Sequence, residues 1–111
     1  MTKRALVVGV SSYGFPNDLP SGARDAEAFG STLETIYRFD DVRVLKDGEA
    51  TRDGVERGLE WLVGDATQND RLVFYFSGHG CRFEKGGALE EALVLQDGRR
   101  TSESSAIADM I

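Results

Sequence analysis

Two short hydrophobic runs constrain the fold more than any other feature of the chain. Residues 5–10 (ALVVGV) are apolar without interruption, and residues 71–76 (RLVFYF) combine β-branched and aromatic side chains. Runs that are apolar on both faces are typical of parallel strands covered by helices on either side. They predict the two strongest strands of the fold, and we expect the second run to be a central strand.

Helical patterns and a further strand lie between these two runs. Apolar residues recur at helical spacing from Ala26 to Ile36, which predicts a first helix that ends near Arg38. Residues 42–45 (VRVL) predict a second strand, and Thr51 is a suitable N-cap for a second helix. This alternation predicts an α/β fold with right-handed crossovers and a mostly parallel sheet that has helices on both faces.

Beyond residue 76 the pattern is weaker. Residues 92–95 (ALVL) predict a fourth short strand after a stretch that contains Gly86 and Gly87, and Ser102 predicts the start of a third helix. The composition, 41% hydrophobic and 29% charged, is that of a globular chain. We therefore expect residues 1–111 to belong to a single domain.

Charge and cysteine content exclude several classes of function. The formal net charge of −6 argues against a nucleic-acid backbone or an anionic membrane as the main partner. The single cysteine, Cys81, leaves no internal disulfide framework or cysteine-based zinc site, and it suggests a reducing, cytoplasmic environment. No apolar segment has the length of a signal peptide core or a membrane span, so neither is expected.

The only histidine, His79, directly follows the second hydrophobic run and lies between Gly78 and Gly80. Functional groups of parallel α/β sheets collect at the carboxyl ends of the strands. Flanking glycines would let the backbone turn sharply and leave room for a substrate chain, as the display of a catalytic base requires. Position alone is equally compatible with a histidine that only ends a strand.

The wider context of His79 resembles a known family. Residues 75–80 (YFSGHG) are similar to the histidine motif of caspases and metacaspases, written Y-x-S-G-H-G in the latter. Three further segments are similar to the family in the expected order: residues 5–13 to its first strand, residues 19–26 (LPSGARDA) to the start of its first helix, and residues 88–97 (ALEEALVLQD) to its D-E-A-L-x-x-x-D strand. The chain thus resembles the histidine-bearing, N-terminal part of a metacaspase-type peptidase domain, most similar to bacterial metacaspase-like proteins.

This resemblance implies a caspase-haemoglobinase-like three-layer fold, incomplete in this chain, and a cysteine endopeptidase that acts on polypeptide substrates. His79 would be the general acid/base, and the backbone N–H of Gly80 would be one oxyanion-hole donor. The nucleophilic cysteine of caspases follows the histidine by about 50 residues, which places it beyond Ile111. Cys81 is expected to be a structural thiol, and this chain alone is expected to be inactive without the missing C-terminal part of the peptidase domain.

The resemblance also indicates substrate specificity. Caspases hold an aspartate of the substrate with an arginine, and Leu19 stands at that position here. Metacaspases line the same pocket with carboxylates, and Asp25 and Ser77 match their pocket residues. A carboxylate would bind an arginine or lysine of the substrate, so we expect cleavage after these residues. As a simpler alternative, Asp25 is also a favourable first-turn acid of a helix.

No cofactor or metal is expected. Glu90, Glu91 and Asp97 match the stretch that holds calcium in some metacaspases, but the aspartate pair that completes that site is not evident at residues 101–103. Two other functions remain open. A non-catalytic caspase-like domain could bind or regulate partners, whereas a nucleotide-binding α/β domain is disfavoured because no glycine-rich phosphate loop follows the first strand.

Overall fold

The computed structural model describes residues 1–14 and 18–97. The elements in chain order are β1 (Lys3–Gly9), α1 (Gly22–Thr35), β2 (Asp41–Lys46), a short 3-10 helix (Asp47–Glu49), α2 (Arg52–Val63), β3 (Arg71–Ser77), β4 (Gly80–Lys85) and β5 (Ala88–Leu93). The predicted alternation of strands and helices through β3 is therefore confirmed. The helix predicted to begin at Ser102 lies outside the described residues.

Three parallel strands form the sheet in the order β2-β1-β3. The expectation that β3 is a central strand is wrong for the described residues, where β1 is central and β3 lies at an edge. Residues Ala5, Leu6, Val7 and Val8 of β1 are fully buried, whereas the apolar residues of β3 are only partly buried. Both runs are predominantly apolar. Residues 71–76 include Arg71 and Tyr75, whereas residues 5–10 carry no charged or hydroxyl-bearing side chain, a difference that indicates the more buried strand but does not by itself fix the strand order.

Successive residues of β1 serve opposite faces of the sheet, as the two-residue period of a strand requires. Ala5 and Val7 belong to the hydrophobic cluster that includes α1. Leu6 and Val8 belong to the cluster that includes Val55 of α2. The helices thus cover both faces of the sheet, as predicted, and form three layers. Within the described part of the chain, neither helix is long and apolar enough to cross a membrane.

The start of α1 lies unusually close to the end of β1. A Cβ on Gly9 would lie 2.4 Å from the carbonyl oxygen of Gly22 and 2.6 Å from the Cβ of Ala26. A Cβ on Gly22 would lie 2.1 Å from the carbonyl oxygen of Val10. The two glycines therefore allow a backbone approach that no other residue permits. This approach fixes the first turn of α1 against the carboxyl edge of the sheet.

The ends of the helices follow local rules. Thr51 caps α2 as predicted, because its hydroxyl accepts a hydrogen bond from the Gly54 N–H at 3.2 Å. The predicted end of α1 near Arg38 is too late, since the helix ends at Thr35. Arg38 instead adopts a φ of 57°, and the Phe39 N–H returns to the carbonyl oxygen of Leu33 at 3.0 Å. This left-handed residue closes the helix before β2.

The fourth strand predicted at residues 92–95 lies earlier in the chain, as β5 (Ala88–Leu93), and it does not join the parallel sheet. β4 and β5 instead form an antiparallel hairpin in which Gly80 pairs with Leu93. Gly86 and Gly87 form its two-residue turn, with φ values of +61° and +81°. Both central residues of a type I′ turn need positive φ, so the glycine pair is a hairpin signal that the sequence analysis missed. Most of the described side chains of β4 and β5 are exposed, so the two strands gave no alternating hydrophobic pattern to reveal the hairpin.

Candidate active site

His79 lies at the carboxyl edge of the sheet, just beyond the end of β3, and is half-buried. Both of its backbone polar groups are held. The carbonyl oxygen accepts a hydrogen bond from the Val94 N–H at 2.8 Å, and the N–H donates to the hydroxyl oxygen of Tyr13 at 2.9 Å. The backbone of the candidate base is therefore fixed from two directions, by the loop after β1 and by the residue after β5.

The Tyr13 hydroxyl occupies an unusual place in this arrangement. His79 and Val94 continue the register of the β4–β5 hairpin by one residue pair beyond Gly80 and Leu93. In a regular antiparallel ladder, such a pair exchanges two backbone hydrogen bonds. Here one of them is kept, and the Tyr13 hydroxyl stands in place of the other by accepting from His79 and donating to the Val94 carbonyl oxygen at 2.7 Å.

The backbone N–H of Gly80 is directed away from the hairpin partner. Hydrogen-bonded and non-hydrogen-bonded pairs alternate along an antiparallel ladder. Because the Val94 N–H bonds to the carbonyl of His79, the next pair, Gly80 and Leu93, is of the non-hydrogen-bonded type. Gly80 is also exposed, and a Cβ on it would meet nothing closer than the Ala92 carbonyl oxygen at 3.6 Å. A group bound next to His79 could thus reach this N–H.

The two glycines beside His79 have different roles. Neither adopts a left-handed φ, so the sharp turn that the sequence suggested does not depend on glycine conformation. A Cβ on Gly78 would lie 2.5 Å from the Tyr13 hydroxyl and 2.7 Å from Cζ of Phe76. Gly78 therefore makes room for the tyrosine, and Gly80 leaves the outer side of the loop open.

Asp25 and Ser77 lie on the same face of the sheet. Phe29 of α1 stacks on Tyr75 of β3 with ring centroids 4.1 Å apart. Asp25 lies one helical turn before Phe29, a rise of about 6 Å, and Ser77 lies two residues after Tyr75, a rise of about 6.6 Å. Since the helix of a crossover unit runs opposite to the strands, both steps lead to the carboxyl edge. Asp25 is exposed there and Ser77 is half-buried.

The loop after β1 is held by two carboxylates that the sequence analysis did not single out. Oδ1 of Asp47 accepts hydrogen bonds from the N–H groups of both Ser11 and Ser12, at 2.8 and 2.9 Å. Oδ1 of Asp18 accepts from the N–H of Tyr13 at 2.8 Å and from the N–H of the next residue. Asp18 and Asp47 both lie in turn-forming sequences, residues 16–18 (PND) and 47–48 (DG), but neither sequence indicates which backbone N–H groups the carboxylate binds.

Tyr13 is also absent from the predicted site, although it is the last residue of the segment, residues 5–13, that resembles the family's first strand. Its side chain is only 2% exposed, and its ring centroid lies 4.6 Å from that of His79. Burial raises the pKa of Tyr13, the hydrogen bond from the His79 N–H opposes the rise, and the nearby Asp47 carboxylate adds to it. The neutral phenol is thus the favoured form.

The remaining candidate residues lie in the hairpin region. Cys81 is half-buried on β4 opposite Ala92. Glu91 pairs with Arg82 across the hairpin at 3.4 Å, and Oδ1 of Asp97 accepts from the Arg52 N–H at 3.3 Å. In the described ranges, no group of three His, Cys, Asp or Glu side chains is arranged to hold a metal ion.

A parallel sheet covered by helices on both faces, with a histidine loop at its carboxyl edge, is a three-layer α/β domain. The crystal structure of protein GSU0716 from Geobacter sulfurreducens is similar to this fold, with a TM-score of 0.74 over 88% of this chain and 40% of that chain. The identity of 22% limits this likeness to the fold. The model of the metacaspase, peptidase C14 domain matches residues 3–106. The chain therefore belongs to the metacaspase family of caspase-like proteins.

Curated relatives agree with this assignment. Metacaspase-1 of Scheffersomyces stipitis is 38% identical over 86 residues, which cover 70% of this chain and 21% of the relative. Metacaspase-1B of Aspergillus fumigatus is 35% identical over 88 residues, which cover 72% of this chain and 22% of the relative. The chain thus spans about a fifth of the length of the curated relatives that it matches.

Proposed function

We propose that the protein containing this chain is a cysteine endopeptidase that cleaves polypeptides after Arg or Lys. The thiolate of a cysteine beyond Ile111 would bond to the substrate carbonyl carbon, and the imidazolium of His79 would give its proton to the nitrogen of the breaking C–N bond. Water would then cleave the thioester, with His79 accepting one of its protons. The cysteine-bearing remainder of the domain is the partner that this reaction requires, and a cytoplasmic location is part of the proposal.

One observation carries the proposal: the backbone of His79 is fixed while the N–H of the next residue points away from the hairpin. A carbonyl oxygen that becomes negative beside the imidazole could accept a hydrogen bond from Gly80. Loss of one such donor typically costs about 100-fold or more in rate. The outer edge of β3 has no partner strand within the described residues. A further strand paired there in parallel would bring its own carboxyl end next to His79, which is where the nucleophile is needed.

The specificity for basic residues rests on Asp25. This carboxylate is exposed at the carboxyl edge, on the α1 face that also carries Ser77. An arginine or lysine side chain of the substrate would carry the charge opposite to that of Asp25. Asp25 takes part in none of the salt bridges among the described residues, so no ion pair there competes with the substrate. Arg24, the adjacent residue in sequence, is also exposed and is absent from those pairs.

The first experiment compares the intact protein with its His79→Ala variant on fluorogenic peptides that end in Arg, Lys or Asp. We expect cleavage of the Arg and Lys peptides, and a loss of at least about 100-fold in kcat in the variant, because a positioned acid/base contributes 10²- to 10⁴-fold. Equal activity in both proteins would remove His79 from the reaction. Absence of cleavage in both would favour a caspase-like domain that binds partners without cutting them.

A second experiment separates a substrate-binding role of Asp25 from a helix-stabilising one. Asp53 provides a control, since it is also an exposed acidic residue in the first turn of a helix; it additionally pairs with Arg57 of the same helix, a contact that affects stability and not KM. Both Asp→Asn variants lose a similar interaction with the helix dipole, worth about 0.3–1 kcal/mol. Only Asp25→Asn should raise KM for Arg peptides, by about tenfold or more. Equal effects of the two substitutions on KM would refute the assignment of Asp25 to the pocket.

A further inference from the structure

The phenol of Tyr13 connects three separate segments at the carboxyl edge. It belongs to the loop after β1, it accepts a hydrogen bond from the N–H of His79, and it donates one to the carbonyl of Val94. Its ring is tilted by 52° against the imidazole ring, with 4.6 Å between the centroids. The same side chain thus contacts the backbone and the ring of the candidate base.

The hydroxyl matters more here than the aromatic volume. At a position that is 2% exposed, phenylalanine would fill the same space without the cost of burying a polar group. That cost is compensated because the hydroxyl both accepts and donates a hydrogen bond. Without it, the N–H of His79 and the carbonyl of Val94 would each lose a partner, and the two residues could approach to form the regular ladder bond. The loop would then close by roughly the width of the inserted oxygen.

The backbone of the segment that carries the Tyr13 phenol is also fixed by hydrogen bonds. Asp18 binds the N–H of Tyr13, and Asp47 binds the N–H groups of Ser11 and Ser12. Carboxylates that accept from backbone N–H groups form charge-assisted bonds, which are stronger than neutral ones. The segment that carries Tyr13 is therefore fixed to elements outside the histidine loop, so the position of the hydroxyl is set independently of His79.

We propose that Tyr13 is a positioning residue for His79. The Tyr13 hydroxyl is inserted between the backbones of His79 and Val94 and holds the imidazole at the distance that the reaction needs. The inference rests on the proposed peptidase function and adds a determinant of its rate. Tyr13 touches neither the substrate nor the nucleophile in this role. Its removal should therefore change the chemical step and leave substrate binding nearly intact.

The test uses Tyr13→Phe in the intact protein, with Tyr37→Phe as the control because Tyr37 is 58% exposed. A misplacement of about 1 Å can cost up to 100-fold in rate, so we expect kcat to fall by about 10- to 100-fold while KM for an Arg peptide changes by less than about twofold. The control should keep both constants. Gly78→Ala should reproduce the fall in kcat, since its Cβ would lie 2.5 Å from the hydroxyl.

A second measurement does not depend on activity. In the nuclear magnetic resonance spectrum, cross-relaxation between the ring at position 13 and the His79 imidazole should be strong in the parent protein and weakened in Tyr13→Phe, with no change in the control. Unchanged kcat together with unchanged cross-relaxation would overturn the inference and leave the peptidase proposal intact. If no variant, including His79→Ala, affects cleavage, the peptidase role of His79 fails, and cross-relaxation alone then decides whether Tyr13 positions the ring.

Discussion

Replacement of Gly9 by alanine tests whether the contact between β1 and α1 builds the site. The added Cβ would lie 2.4 Å from the carbonyl oxygen of Gly22, 2.6 Å from the Cβ of Ala26 and 3.0 Å from the Cα of Ala23. Carbon–oxygen contacts normally lie near 3.3 Å, so the first turn of α1 must move by about 0.9 Å. Backbone atoms form two of these three contacts, and no side-chain rotation can relieve them.

The expected loss of stability follows from two opposing effects. Forcing extra atoms into a closely packed contact typically costs about 1–3 kcal/mol. Alanine also restricts the unfolded chain, which returns about 0.4–1 kcal/mol. A net destabilisation of about 1–2 kcal/mol should remain for Gly9→Ala. Gly48→Ala is the matched control, because Gly48 is exposed and a Cβ there would meet nothing within 4 Å.

Urea unfolding of the intact protein measures the difference. With a slope near 2 kcal/mol per molar urea, the midpoint of Gly9→Ala should fall by about 0.5–1 M at unchanged slope, whereas Gly48→Ala should leave it in place. The displaced first turn also carries Asp25, so KM for Arg peptides should rise in Gly9→Ala alone. Equal midpoints for Gly9→Ala and the parent protein would refute the reasoning, because they would mean that α1 can move away from β1 freely.

Three further outcomes follow from individual contacts. Thr51→Ala should lower the free energy of unfolding by about 1 kcal/mol, measured by urea titration, because the hydroxyl caps α2 through Gly54, and Thr51→Ser should restore most of it. Leu6→Ala should cost about 3–5 kcal/mol at a fully buried position, and Leu89→Ala, at a position 65% exposed, less than about 0.5 kcal/mol. Burial raises the pKa of Tyr13 above its ordinary value of 10.0. The contribution of the neutral Tyr13 phenol to stability should thus be complete below pH 10 and lost as the pH rises through the folded-state pKa. The difference in tyrosinate absorbance between the parent protein and Tyr13→Phe should have its midpoint above pH 10.

The parts of the fold that could be predicted from sequence are those whose burial leaves a periodic pattern. β1, α1, β2, α2 and β3 have hydrophobic residues spaced by their contacts with one another, so their order and their layers could be predicted. The β4–β5 hairpin leaves no such pattern because most of its side chains are exposed, and only the glycine pair of its turn marks it. The strand order was likewise beyond prediction, since two predominantly apolar runs do not by themselves fix which strand lies between the others.

The candidate site shows a similar division. A histidine after a buried strand can be located from the sequence, because strand direction alone places it at the carboxyl edge. The contact that fixes the backbone of this histidine cannot be predicted from the sequence. The Tyr13 hydroxyl and the His79 N–H are 66 residues apart and meet only because β1 and β3 are parallel neighbours in register. Gly78 is the sequence feature that reflects this contact, because a larger residue would leave no room for the Tyr13 hydroxyl. A glycine beside a histidine, however, equally suggests a flexible turn. The three-dimensional contact distinguishes the two explanations: an alanine at position 78 would be tolerated by a flexible turn and would collide with the phenol in the arrangement found here.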